Sequence, residues 1–350
     1  MKKVFSAKRG LAMLLAVVMI VGLLAACGGG TTPTPTPAAP PTGDATPGEA
    51  TPPAGPIGGG QVFALATASL GGTYYIVGTG LAEAITNSVD GLIVNSVIAH
   101  GSVGNPLMIG AGEAELVMTN YYSAYNAIHG LGPYDDPIPL LGIAPLQFSI
   151  LQFMVMADSG IYSIYDLEGL RVNIGPAGGG GALLFNTLLP FWGMELDDVN
   201  VSYVSYSEGS DAVNDGRLDV NVPHGAPPLE AISSLAQFND LRLLELETEI
   251  LEQVLAEFPY YSIATIPAGT YRGIDEDVQS IGIQDILVVY AGMDDDLVYA
   301  ITQAIWEAIE HLRTLHPSLA AMTFDGYMHS IVPLHPGALR FYEEHNIPLR

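Results

Sequence analysis

Five turns in this chain join a strand pattern to a helix pattern through glycine and small polar residues, and they limit the possible folds more than any other feature. They are SLGGTYY at 69–75, HGSVGN at 100–105, Thr119-Asn120, GPAGGGG at 175–181 and HGAP at 224–227. Strand patterns at 61–66, 92–98, 115–118 and 138–143 alternate with helical patterns at 74–88, 103–111 and 121–128. A second series follows, with strands at 171–174, 200–205 and 219–222 and helices at 182–189, 209–215, 228–236 and 248–257. Alternation of this kind predicts an α/β chain with open, largely parallel sheets. The apolar stretches 148–156 and 283–290 read as strands that carry the chain between two lobes. The expected domains are therefore 61–150 plus 288–350 as lobe I and 151–287 as lobe II. The run after Asp294-Asp295-Asp296 repeats apolar residues from Leu297 to Leu312 at helical spacing and reads as scaffold.

The N-terminal end carries a different message. Lys2, Lys3, Lys8 and Arg9 precede an uncharged run from Leu11 to Ala26, the layout of a cleavable secretory signal. That run is short for a membrane span, which needs about 20 apolar residues. It closes on Leu24-Ala25-Ala26-Cys27, a lipobox-like end whose cysteine, the only one in the chain, is the candidate for lipidation. A disulfide framework is excluded. Residues 27–60, almost all Gly, Thr, Pro and Ala after the cysteine, have no apolar periodicity and read as an extended tether. The expected location is extracytoplasmic, held to a membrane by a lipid anchor.

Charge narrows the partners. All lysines lie before Cys27, so seven arginines face 37 acidic residues beyond it. Nucleic acid, which is gripped through lysine and arginine on phosphate, is excluded as a partner.

Catalytic patterns are missing from the sequence. There is no Gly-x-Ser-x-Gly, no His-Glu-x-x-His and no Walker loop, and the eight histidines are scattered. His311 and His316 stand five apart, off the spacing that sets two ligands on one helix face. GPAGGGG lacks the Gly-x-Gly-x-x-Gly order of a dinucleotide loop. No enzyme activity, metal or cofactor is expected. Any one glycine run alone reads as a tight turn; together, at the carboxyl ends of strands in an open α/β sheet, they converge on a ligand crevice. Helix N-termini there present unpaired N–H groups and partial positive charge, which can hold an anion without lysine or arginine. The candidate ligand contacts are Thr73, Tyr74 and Tyr75, then Gly101, Ser102 and Asn105, then Thr119 and Asn120. In the second series they are Gly178, Gly179, Gly180 and Gly181, then His224, Gly225 and Pro227. Of the adjacent Tyr74 and Tyr75, only one can face the crevice.

These same stretches resemble the TAXI family of solute receptors that serve TRAP (tripartite ATP-independent periplasmic) transporters. The matching segments are GGTYYIVGTGLAEAI, HGSVGN with AGEAELVMTN, DLEGLRVNIGPAGGGG, DGRLDVNV with HGAPPLEAI, IPAGTYRGI, DDDLVYAIT and LHPGALRFYEE, in the family's order. The resemblance implies a type II periplasmic-binding-protein fold, two lobes closing by a hinge over a cleft. It implies delivery of a small organic anion or amino acid, such as glutamate, glutamine or a 2-oxo acid, to a permease of small and large integral-membrane subunits. Carried over, the family's aromatic falls on Tyr74 and Tyr75, and its Gly-Ser-x-x-Asn turn on Gly101, Ser102 and Asn105. Its second-lobe loop falls on 178–181 and its Gly-x-Pro turn on Gly225 and Pro227. Here that loop has glycine and then Ala182-Leu183 where the family has hydroxyls, and Leu70 replaces a small polar residue. The other classes weighed are a lipoprotein that passes its ligand to a signalling partner and an extracytoplasmic enzyme on the same scaffold.

Overall fold

The computed structural model describes residues 60–323 and 331–347, so the leader, Cys27 and the tether lie outside the described part. β1 (Gln61–Ala66) leads through a glycine turn into α1 (Thr73–Ser88), followed by β2 (Leu92–Val97), α2 (Asn105–Ala111), β3 (Leu116–Asn120) and α3 (Tyr121–His129). β4 (Leu140–Leu151) and β5 (Phe153–Met156) carry the chain into the second lobe. There it forms β6 (Arg171–Asn173), α4 (Gly180–Leu188), β7 (Asn200–Ser202), α5 (Tyr206–Asn214), β8 (Val220–Asn221) and β9 (His224–Gly225). α6 (Glu230–Ala236), β10 (Leu241–Leu244), α7 (Thr248–Glu257) and β11 (Ser262–Ile266) complete it. β12 (Val278–Tyr290) returns to the first lobe, which adds α8 (Asp295–Glu307), α9 (Ile309–Leu315) and α10 (Pro336–Glu344).

Two sheets result. The larger runs β2-β1-β3-β12-β4-β9 with β11 on the side of β12, and the smaller runs β10-β5-β8-β6-β7. Each is parallel where strands alternate with helices, as in β1 with β2 and β3, and antiparallel where the chain crosses between lobes, as in β12 with β3 and β4. The sheets are thus mixed, more so than the strand and helix alternation predicts.

β12 shows why this sequence makes a buried central strand. Ile286 and Val288 pack with Val117 and Ala124 on one face, while Leu287 and Val289 pack with Val77, Leu81 and Ile301 on the other. A strand covered on both faces needs apolar residues at every position, not at alternate ones. Nearer its start, Ile281 and Ile283 join Val172, Leu184 and Phe185 in the second lobe's core. One strand therefore anchors both lobes, and the expected boundary at 287/288 falls inside it. The helix expected after Asp294 begins there, with Asp294 accepting from the Asp296 and Leu297 amides at 3.0 Å. It does not run on to Leu312; at Ala308 the backbone leaves the helical region (φ −86°, ψ 1°) and α9 restarts. Among the described residues no helix is long and apolar enough to cross a membrane.

Candidate functional site

The loop after β1 and the loop after β6 face each other across the lobes. Gly72 and Gly179 stand at the N-caps of α1 and α4, and neither has a side chain to bond the first-turn amides. Neighbouring helices are closed off instead. Ser205 caps α5 by accepting from the Glu208 amide at 3.3 Å, and Asn120 caps α3 by accepting from the Ser123 amide at 2.8 Å. α2 and α6 also lack a side-chain cap, at Gly104 and Leu229, but there the Asn105 amide donates to the Gly101 carbonyl at 2.9 Å and the Ala231 amide to the Gly71 carbonyl at 3.3 Å.

The N-termini of α1 and α4 both face a cavity of about 30 Å³. Lobe I lines it with Ala68, Ser69, Gly72, Thr73, Tyr74, His100, Gly101, Ser102 and Ser149, and lobe II with Pro176, Gly179, Gly180, Tyr206 and His224. That volume admits a water or two.

They meet at several points. The Val103 and Gly104 amides donate to the Gly178 carbonyl at 3.2 and 2.9 Å, and the Ala231 amide to the Gly71 carbonyl at 3.3 Å. Gly178 presents that carbonyl from φ +87°, a conformation that L side chains rarely adopt. Thr73 Oγ1 donates to the Ala226 carbonyl at 2.9 Å. Tyr122 of α3 stacks on Tyr260 of the second lobe, ring centroids 4.0 Å apart.

Beneath the cavity lies a wholly buried carboxylate. Asp285 of β12 accepts from Tyr74 OH at 2.7 Å, Gln147 Nε2 at 3.0 Å and Ser149 Oγ at 2.5 Å. Burial pushes it up to about 7, against the pull of those three donors. The Tyr74 hydroxyl is held well above its ordinary value, first by burial and then by Asp285. Burial also takes His224 down to about 4, opposed by the Ser149 backbone, so the imidazole is neutral near pH 7. His224 is part-exposed as a residue, yet its Nε2 is out of contact with solvent and has no hydrogen-bond partner among the described residues. The same holds for Ser69 Oγ. His100 is exposed.

Of the residues expected from sequence, Thr73, Tyr74, Gly101, Ser102, Gly179, Gly180 and His224 come together around this cavity. Tyr75 turns outward, 37 % exposed against 7 % for Tyr74. Asn105 is spent on scaffold, its Nδ2 donating to the Ala66, Thr67 and Met118 carbonyls and its Oδ1 accepting from the Gly101 amide. Thr119 and Asn120 stand one layer behind, bonding the Ser102 carbonyl at 2.6 Å and Ser102 Oγ at 3.0 Å. Gly178, Gly181, Gly225 and Pro227 lie outside the lining. Gly178 bridges the lobes, as described, and Gly181 packs close to Tyr206 and His224. Sequence reasoning passed over Ser69, Ser149, Tyr206 and Asp285 as contributors. Asp285 had a visible signal, a lone acid inside IGIQDILVVY, since an acid within a buried strand requires partners.

Two α/β lobes, joined by crossing strands and meeting at a cleft edged by helix N-termini, make this a protein of the periplasmic-binding-protein fold. The chain belongs to the NMT1-like family, whose model matches residues 65–345. Among solved structures it is similar to the alkanesulfonate-binding protein SsuA from Xanthomonas axonopodis pv. citri bound to MOPS, at 14% identity over 82% of this chain and 84% of that one, TM-score 0.46. The periplasmic aliphatic sulphonate binding protein SsuA from Escherichia coli aligns at 12% identity over 82% and 79%, TM-score 0.42. The substrate binding protein of an amino acid ABC transporter aligns at 14% identity over 73% and 97%, TM-score 0.43.

Proposed function

We propose that this chain is an extracytoplasmic solute receptor of the TAXI type, anchored through Cys27, that captures a small carboxylate-bearing solute and delivers it to a TRAP permease of small and large integral subunits. The observation that carries the binding role is the meeting of two uncapped helix N-termini, Gly72 of one lobe and Gly179 of the other, over a single cavity. Such termini offer N–H donors and partial positive charge to an anion. No lysine, arginine or carboxylate belongs to the lining, which presents hydroxyls, imidazoles and backbone instead. Arg171 and Arg217, the cations nearest the second-lobe strands in sequence, are paired elsewhere with Asp219 and Asp215. The order of the glycine turns along the chain supports the TAXI and TRAP assignment, and glutamate and 2-oxo acids are the first candidates as solute. Ligand closes the lobes because donors of both are satisfied together only when the lobes meet.

Mass spectrometry of the small molecule released by denaturing the purified full-length chain tests this reading. A carboxylic acid that rebinds the emptied protein supports it. Release and rebinding of a cation or an uncharged compound instead rejects the anion site.

A further inference from the structure

On the proposed reading of the cleft as an anion site, we propose that the solute binds together with one proton: Asp285, behind Tyr74 and Ser149 of the cavity wall, is a positioning residue that takes up the proton when the anion arrives. A carboxylate is buried there, without a cation, at the back of a site for negative charge.

Asp285 is 0 % exposed and stands at a bulge of β12, where the pairing with β4 shifts register between Gln284 and Ile286. Bulges re-aim a side chain, often beside a functional site. Here the carboxylate accepts from Tyr74 at Oδ1 and from Gln147 and Ser149 at Oδ2, all three neutral donors. Two of those residues, Tyr74 and Ser149, also line the cavity. A solute that meets either one is therefore separated from Asp285 by a single side chain. Two negative charges so placed, out of water, repel strongly, and no lysine or arginine of the lining offsets them. A proton on Asp285 removes the repulsion.

The proton also changes what the wall offers. Ionised, Asp285 only accepts, so both hydroxyl hydrogens are spent on it. Protonated, it donates, and one of the hydroxyls that served it becomes its acceptor, with a hydrogen free to turn toward the solute. The cluster is short of hydrogens as it stands, since Gln147 Oε1, wholly buried, has no partner among the described residues.

The groups packed around Asp285 do not compete for that proton near neutral pH. Tyr74 of α1 is held well above its ordinary value and Tyr206 of α5 is pushed up to about 12, each first by burial. His224 of β9, bonded to the Ser149 backbone, is taken down to about 4 by burial. β3 and β4, which flank Asp285 in the sheet, carry no titratable side chain. Asp285 itself, raised by burial to about 7, exchanges its proton where the others do not. His100 is exposed but shares the lining, so it requires its own control.

The test is calorimetric titration of the full-length chain, freed of bound ligand, from about pH 6 to about pH 8.5 with L-glutamate, 2-oxoglutarate and pyruvate, whose carboxylates stay ionised over that range. For the acid that binds best, the parent's affinity should be level below about pH 7 and fall roughly tenfold per pH unit above it, the slope of one proton taken up per solute. Heats measured in phosphate and in Tris at one pH above 7 should differ in the sense of proton uptake. Asp285→Asn should bind without that pH dependence, and His100→Gln should keep the parent's slope whatever its affinity. Should Asp285→Asn fail to fold, the two-buffer heats and His100→Gln still decide. A level parent affinity with equal heats in the two buffers overturns the inference and leaves the anion site standing. An Asp285→Asn protein that keeps the slope, or a His100→Gln protein that loses it, assigns the proton elsewhere and overturns the inference as well. Absence of binding by every acid at every pH rejects the carboxylate reading of the cleft and this inference with it.

Discussion

Gly180 faces Ser102 of the other lobe at the cavity, and a single added methyl tests this arrangement. A Cβ on Gly180 would overlap Ser102 Oγ and stand 3.2 Å from His224 Nδ1 and 3.3 Å from Asn120 Nδ2. Ser102 has little freedom to withdraw, because Asn120 holds its hydroxyl at 3.0 Å and Thr119 holds its carbonyl at 2.6 Å. Forcing one extra carbon into a packed contact costs about 1–3 kcal/mol. The overlap with Ser102 arises only where the lobes meet, since Ser102 and Gly180 belong to different lobes, whereas the tight approach to His224 Nδ1 lies within one lobe. Within α4 itself alanine is the better helix former, by about 1 kcal/mol over glycine in a helix interior. Gly180→Ala should therefore leave the melting temperature of the free protein unchanged or raised, and weaken solute binding by about 5- to 150-fold. Calorimetry with the solute recovered from the parent gives the affinity, and small-angle X-ray scattering gives the extent of closure at saturation. Parent-like affinity and an unchanged scattering profile would refute the closure geometry.

Three further outcomes are expected. Intact mass of the protein extracted from membranes should show loss of residues 1–26 and a lipid on Cys27; an unmodified cysteine or an uncleaved leader ends that reading. Arg171→Gln and Arg217→Gln should bind solute like the parent, because each guanidinium pairs at the surface, with Asp219 at 2.6 Å and Asp215 at 3.0 Å; loss of binding with the fold intact would place a guanidinium in the site. Asp285 binds its proton more tightly folded than unfolded, so its contribution to stability is present below the ordinary carboxylate value and is lost as pH rises to about 7, whereas His224, held near 4, contributes stability that grows from about pH 4 and is complete above 6.5. Urea melts across that range should show Asp285→Asn gaining on the parent as pH rises, by on the order of 4 kcal/mol at most by pH 8; parallel curves for the two proteins would remove Asp285 from the account.

The α/β alternation was legible because each element carries its own period. Residues 61–66 and 248–257, for example, are strand and helix in the structure with the bounds that their patterns predict. The crossing strands were legible in part. β12 begins five residues before the apolar run at 283, because Val278 to Gly282 include Gln279 and Ser280, polar residues whose partners come from elsewhere in the fold: the Leu246 carbonyl and Thr248 for Gln279, the Leu151 carbonyl for Ser280. Of the site, sequence located the turns but could not rank their side chains. Asn105 and Ser102 sit three apart in one turn, yet one amide is consumed by three backbone carbonyls and one hydroxyl faces the cavity. That distinction depends on which loops return to the same place, and Tyr206 and Ser149 reach the cavity only through such returns.

The contacts between the lobes described above are individually weak, and their character bears on function. The backbone bonds to the Gly178 and Gly71 carbonyls and the Thr73 to Ala226 bond are ordinary neutral hydrogen bonds, each with a net worth of about 0.5–1.5 kcal/mol. The stack of Tyr122 on Tyr260 adds about 0.5–1.5 kcal/mol beyond its buried area. Against them stands the loss of freedom of the loops that closure orders. The equilibrium between parted and meeting lobes is the difference of these opposing terms. A solute that contacts both lobes only when they meet adds its differential affinity to one side of that balance, and tenfold discrimination corresponds to about 1.4 kcal/mol. On the proposed reading, release of solute to a permease requires that the lobes are not locked shut by their own contacts, because such a cleft would capture and never deliver.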